Sequence, residues 1–150
     1  MKRSPLARKT PLKRGTTRMR TTPKPGGNSD ITPGVRALTL ARDGYACVCC
    51  GVSVIGRRYS LGHRRRASQG GKPVPANLIT LLGWGGEECH GRIDLYRDPD
   101  DAAKGYRVES WQDPALIPVM VFSPGGSGMT LFPTADGRWS PEPPEGAEAA

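Results

Sequence analysis

Behind Thr32 and Pro33, apolar residues recur at Val35, Leu38, Leu40 and Ala41 and stop at Asp43-Gly44. This predicts a helix over about residues 33 to 42, with Thr32 as its cap and Pro33 in its first turn. Short apolar runs broken by glycine follow. Tyr45 to Gly51, Val52 to Ile55, a turn at Gly56 and Arg58 to His63 predict short strands around a hairpin. Gly70-Gly71 and Pro73 to Pro75 mark a loop, after which Leu78-Ile-Thr-Leu-Leu82 predicts a short buried strand. Glu87 to Tyr96 begins with acidic residues and carries Ile93, Leu95 and Tyr96, the pattern of a helix. Farther on, Pro99 to Lys104 predicts one helical turn and Tyr106 to Glu109 a strand. Ile117 to Phe122 and Met129 to Phe132 predict a hairpin across Ser123 to Gly128.

The expected class is therefore α+β, with a small core. Composition sharpens this: 20 glycines and 15 prolines in 150 residues leave little apolar surface to bury. The expected division is a disordered basic arm over 1–29, a core over 30–112, a β-hairpin extension over 113–140 and a disordered acidic tail over 141–150. No apolar run approaches the roughly 18 residues of a membrane span, and no apolar segment follows the basic start as in a secretory signal. A soluble, cytoplasmic protein that makes no membrane contact is expected.

Charge is distributed unevenly. The net charge is +8, and residues 1 to 24 hold Lys2, Arg3, Arg8, Lys9, Lys13, Arg14, Arg18, Arg20 and Lys24 without an acid, so the remainder is close to neutral. The arm repeats itself, Arg3-Ser-Pro-Leu-Ala-Arg8 being followed by Lys9-Thr-Pro-Leu-Lys-Arg14, and its prolines exclude a helix. It has the character of a phosphate-tracking tail; the plainer alternative is a solubilising one. Between Asp43 and Glu87 there is again no acid, while Arg57, Arg58, Arg64, Arg65, Arg66 and Lys72 fall there. A polyanion is the natural partner of such a surface.

Residues suited to metal or nucleophile chemistry are few, since the chain has only four cysteines and two histidines. Cys47-x-x-Cys50 can turn two thiolates toward one tetrahedral ion, and Cys89 could add a third. A structural zinc would need a fourth ligand, for which Cys49, Glu87 or a water are the candidates; without zinc the thiols are inert or redox-active in a reducing compartment. His63, Asn77 and His90 stand in the order strand end, loop, helix start, and the arginine run begins directly after His63.

The ordered combination of Arg42-Asp-Gly-Tyr-Ala-Cys-Val-Cys-Cys-Gly51, Gly62-His-Arg-Arg-Arg with Gly70-Gly71, Pro75-Ala-Asn-Leu-Ile-Thr-Leu and Cys89-His-Gly-Arg-Ile-Asp94 resembles HNH endonucleases of bacteriophages and prophages. The resemblance spans about residues 33 to 97. It implies a ββα-metal (His-Me finger) fold and hydrolysis of DNA phosphodiesters with one catalytic divalent ion, Mg²⁺ or Mn²⁺. By position it implies that His63 is the general base, that Asn77 orients it, and that His90 is a ligand of the catalytic ion. Asp94, at i+4 from His90, can meet the same ion. Where relatives carry a further ligand before the base, this chain has Gly62. Phosphate contacts are expected from Arg64, Arg65, Arg66, Lys72 and Arg92, and phage packaging or recombination proteins are the companions that the resemblance allows. The alternative is a zinc-stabilised DNA-binding module derived from such a nuclease, weak or inactive in catalysis.

The arm generates its own test. Deleting residues 1 to 24 removes nine cations and no base-reading group, so affinity should fall alike for all DNA sequences and the dependence of log K on log salt should flatten. Filter binding at several salt concentrations measures this, and an unchanged slope would show that the arm does not touch DNA.

Overall fold

The computed structural model describes residues 31–84, 86–96 and 98–144. The expected arm, and the tail beyond residue 144, lie outside them.

Helix α1, Pro33–Arg42, begins where the sequence places it, with the Thr32 hydroxyl accepting from the Val35 amide at 3.3 Å. Strand β1 (Tyr59–His63) pairs antiparallel with β2 (Leu78–Leu82), with His63 opposite Leu78 and Gly62 opposite Ile79. The connection between them contains two 3₁₀ turns, Ala67–Gln69 and Pro75–Asn77. Helix α2, Glu88–Leu95, packs on both strands, and a one-turn helix α3, Pro99–Ala103, follows. Strands β3 (Val119–Phe122), β4 (Gly128–Pro133) and β5 (Trp139–Ser140) form a separate antiparallel sheet in that order. The described residues are thus a small mixed helix-and-strand fold, as expected for α+β.

Every residue of β2 is buried, although only one of its edges is paired with a strand. Side chains and the cysteine-bearing turn satisfy the other edge. Asp43 Oδ2 accepts from the Thr80 amide at 2.8 Å, the Val48 amide donates to the Thr80 carbonyl at 2.9 Å, and Arg42 Nη2 donates to the Leu78 carbonyl at 2.6 Å. Arg42 in turn pairs with Asp43 at 2.7 Å and lies over the Trp139 ring, 4.1 Å from its centroid.

Two expected strands need correction. Residues 52–55 are not a strand; they return along the turn as single contacts, the Val52 carbonyl accepting from the Cys47 amide at 2.8 Å and the Val54 amide donating to the Tyr45 carbonyl at 2.8 Å. Gly51 explains the tight return. Its φ is +72°, and a Cβ there would lie 2.3 Å from the Ser123 carbonyl oxygen. Residues 106–109 are not a strand either, because their bonds go to different partners: the Val108 amide to the Arg64 carbonyl and the Tyr106 hydroxyl to the Met120 carbonyl. The C-terminal hairpin extension enlarges the core. Val119 is fully buried in the core formed by Leu61, Leu78, Ile79, Leu81 and Ile93, and the Phe122 amide donates to the Val48 carbonyl.

Arg64 is the third correction. It was expected on the surface as a phosphate contact, yet it is 1% exposed. Its Nε donates to the Gly105 carbonyl at 2.6 Å, Nη1 to Ala76 at 3.2 Å and Pro114 at 2.7 Å, and Nη2 to Ile117 at 2.6 Å. Burial, and secondarily the charge of Arg42, lower its pKa to about 9, so it remains charged at neutral pH. It joins the β1–β2 loop to the chain on both sides of the 105–117 segment. Arg64→Met, similar in length, would leave four carbonyls without donors and should cost about 3 kcal/mol. A lowered midpoint in urea measures this; an unchanged midpoint would show the network to be dispensable.

Candidate active site and metal centre

His63 is the last residue of β1 and is half-buried. Its Nε2 is enclosed and has no hydrogen-bond partner among the described residues. Desolvation holds its pKa below the usual 6.5, so the imidazole is neutral at pH 7. Helix α2 brings His90 to the same strand end: a Cβ at Gly62 would lie 3.8 Å from His90 Cδ2 and 2.7 Å from Leu81 Cδ1. Gly62, His63, Leu81, His90, Asp94 and Tyr106 line one narrow cleft of about 30 Å³, room for about one water. Residues expected from separate parts of the sequence to share a site are thus brought to one place.

Asn77 works behind that cleft. It is 1% exposed, and its Oδ1 accepts from the Arg65 amide at 2.7 Å while Nδ2 donates to the carbonyls of Arg65 and Lys72, each at 3.0 Å. The Arg64 amide also donates to the Asn77 carbonyl at 2.9 Å. One amide therefore closes the loop that leaves His63. It holds the backbone two residues after the histidine and makes no bond to the imidazole.

The expected cations and the expected metal ligand Asp94 are partly engaged with each other. Arg66 Nη2 donates to the Asp94 carbonyl at 2.5 Å and to its carboxylate at 3.1 Å. Arg92 bonds the fully buried Asp101 at 2.5 Å. Arg65 Nη1 and Nη2 donate to the carbonyls of Gln112 and Gly70, both at 3.2 Å, and Lys72 is exposed. No group of three carboxylate or imidazole donors converges at His90 among the described residues. The described residues alone do not gather a catalytic-metal shell there.

A different cluster does form. The ligand atoms of Cys47, Cys49, Cys50 and Cys89 all lie within 4.8 Å of one another, and Cys47 Sγ is 3.6 Å from Cys49 Sγ. Sulfurs at about 2.3 Å from a tetrahedral zinc would be roughly 3.8 Å apart, so this four-thiol cluster is compatible with a structural metal such as zinc. The turn closes because the Cys47 carbonyl accepts from the Gly51 amide at 2.7 Å, and Cys89 arrives from the first turn of α2. Hydrogen bonds from Cys49 and Cys89 make Cys47 the thiol most readily ionised; its bond to Cys47 pushes Cys49 up to about 12. The cysteines are free, without a disulfide. The sequence expectation of Cys47, Cys50 and Cys89 is completed here by Cys49, one of the fourth ligands left open. The packed run Cys-Val-Cys-Cys was its only signal.

Comparison with family models, curated proteins and solved structures finds no match.

If the four thiols act together, Cys49→Ser should cut zinc retention against a chelator at least about tenfold and lower thermal stability with it. Zinc analysis after dialysis and a melting scan measure both. Full retention in this variant would remove Cys49 from the shell.

Proposed function

We propose that this protein is a DNA endonuclease that hydrolyses phosphodiester bonds with water activated by His63, and that the four-cysteine cluster holds a structural zinc. The observation that carries this reading is the convergence of His63, at the end of β1, and His90, in α2, on one cleft. The Asn77 clamp closes the intervening loop. The order strand, clamped loop, strand, helix supports reading the fold as the ββα-metal arrangement that the sequence motifs imply.

A neutral imidazole is what the chemistry requires. His63 takes a proton from water, the hydroxide attacks phosphorus in line, and the bond to the leaving oxygen breaks. A divalent ion such as Mg²⁺ or Mn²⁺ would supply charge stabilisation on the phosphate. His90 is its protein ligand in this reading, and Asp94 joins only when its carboxylate leaves Arg66. Arg65, Lys72 and the outer faces of Arg66 and Arg92 are the groups that remain to hold phosphates.

A second reading, a zinc-stabilised DNA-binding module without cleavage, is favoured by two observations: Gly62 offers no donor, and Asp94 is paired with Arg66. Nicking of supercoiled plasmid with and without Mg²⁺ or Mn²⁺ separates the two readings.

For the nuclease, His63→Ala should reduce single-turnover cleavage at least about 100-fold while leaving DNA affinity within about threefold. The acid limb of kcat/KM in the wild type should have its midpoint below pH 6.5, since the free enzyme's His63 is depressed by burial. The same depression means that the unfolded chain binds the proton more readily, so stability should fall as the pH drops below 6.5. Retained cleavage in His63→Ala, or an acid limb centred above pH 6.5, would discard the assignment.

A further inference from the structure

A second, larger cleft lies on the outer side of the clamped loop. It holds about 330 Å³, within the range of small-ligand sites, and Arg65, Lys72, Val74, Trp111 and Asp113 are among its lining residues. Three features distinguish it from an ordinary surface hollow. Trp111 is 79% exposed, so a large aromatic face stands in solvent beside two cations. The turn that carries it is fixed: the Gln112 amide donates to the Glu109 carbonyl at 3.1 Å, Gln112 Oε1 accepts from the Glu109 amide at 3.0 Å, and the Gln112 carbonyl accepts from Arg65. Arg65 Nε, finally, is buried without a hydrogen-bond partner among the described residues, a donor that an anionic oxygen would satisfy.

We propose that this cleft binds one unstacked nucleotide of single-stranded DNA, with its base on the Trp111 indole and its phosphate between Lys72 and Arg65. The proposal rests on the reading of the protein as one that acts on DNA. The pairing of a π face with cations suits a nucleotide better than a free anion, which would have no use for the indole, or an apolar ligand, which would have none for the cations. Asp113 Oδ1 accepts from the Ala115 amide at 2.9 Å, which holds that carboxylate within its own turn, and its single negative charge is outnumbered by the cations of Lys72 and Arg65 in the cleft. Lys72 is in no ion pair among the described residues. The Asn77 amide that restrains the loop after His63 also bonds the Lys72 carbonyl, so the cleft and the histidine are held by one side chain.

The test compares binding of a labelled oligothymidine of about ten nucleotides and of a blunt duplex of similar charge to the full chain. Trp111→Ala should weaken the single strand about tenfold and the duplex less than about twofold, and Trp111→Phe, which keeps a π face, should recover most of the loss. Lys72→Gln should lower the salt slope for the single strand by about one. Both side chains are exposed, so these variants leave the core untouched. If Trp111→Ala leaves oligothymidine binding unchanged, or weakens both ligands equally, the cleft proposal is overturned while duplex binding and cleavage still support the nuclease. If the wild type binds neither ligand, both proposals fall together.

Discussion

A two-stranded sheet leaves the outer edge of each strand with unpaired amides and carbonyls, and burying one such group unpaired costs about 1–3 kcal/mol. This chain buries β2 completely without giving it a second strand neighbour. Arg42 and Asp43, the last helical residue and its cap, are turned inward onto Leu78 and Thr80, and the cysteine-bearing turn adds Val48. A core this poor in apolar residues is closed by charged groups whose hydrogen bonds are filled. Arg64 repeats the device one layer away with four carbonyls.

The candidate site inherits its geometry from these polar contacts. His63 sits where β1 ends, and the chain immediately after it is fixed by buried Arg64 and by the Asn77 amide. His90 sits where α2 begins, and the residue before it, Cys89, is tied to the Cys47–Cys50 turn. Two anchors of different chemistry therefore bear on one cleft. A carboxamide network restrains the His63 side and a thiol cluster the helix side. Preorganisation of this kind is what hydrolytic chemistry demands, because misplacement by about 1 Å can cost roughly 100-fold in rate.

Much of this was legible in the chain. Thr32-Pro33 and Asp43-Gly44 bracket α1 because caps and stops are local chemistry, and Leu78 to Leu82 declares a buried strand by its unbroken apolar run. The hairpin over residues 119–133 follows from the glycine-rich turn. What could not be read depends on partners distant in sequence. Nothing in the run of arginines at 64 to 66 tells which one turns inward, since the carbonyls that receive Arg64 lie 12 to 53 residues away. Tyr106 to Val108 has a strand's composition but meets no continuous edge. Cys49 was ambiguous for the opposite reason: four thiols were available, and only the arrival of α2 shows that all of them reach one point.

In the proposed arrangement one zinc held by four thiolates anchors α2, and the His90 side chain lines the cleft. Zinc K-edge X-ray absorption on the zinc-loaded chain tests it most directly. The account predicts four sulfur neighbours at about 2.3 Å and no light-atom shell. A fit requiring three sulfurs and one nitrogen at about 2.0 Å would contradict it, since His90 beside Cys89 would then belong to the zinc and the cleft would lose its second histidine.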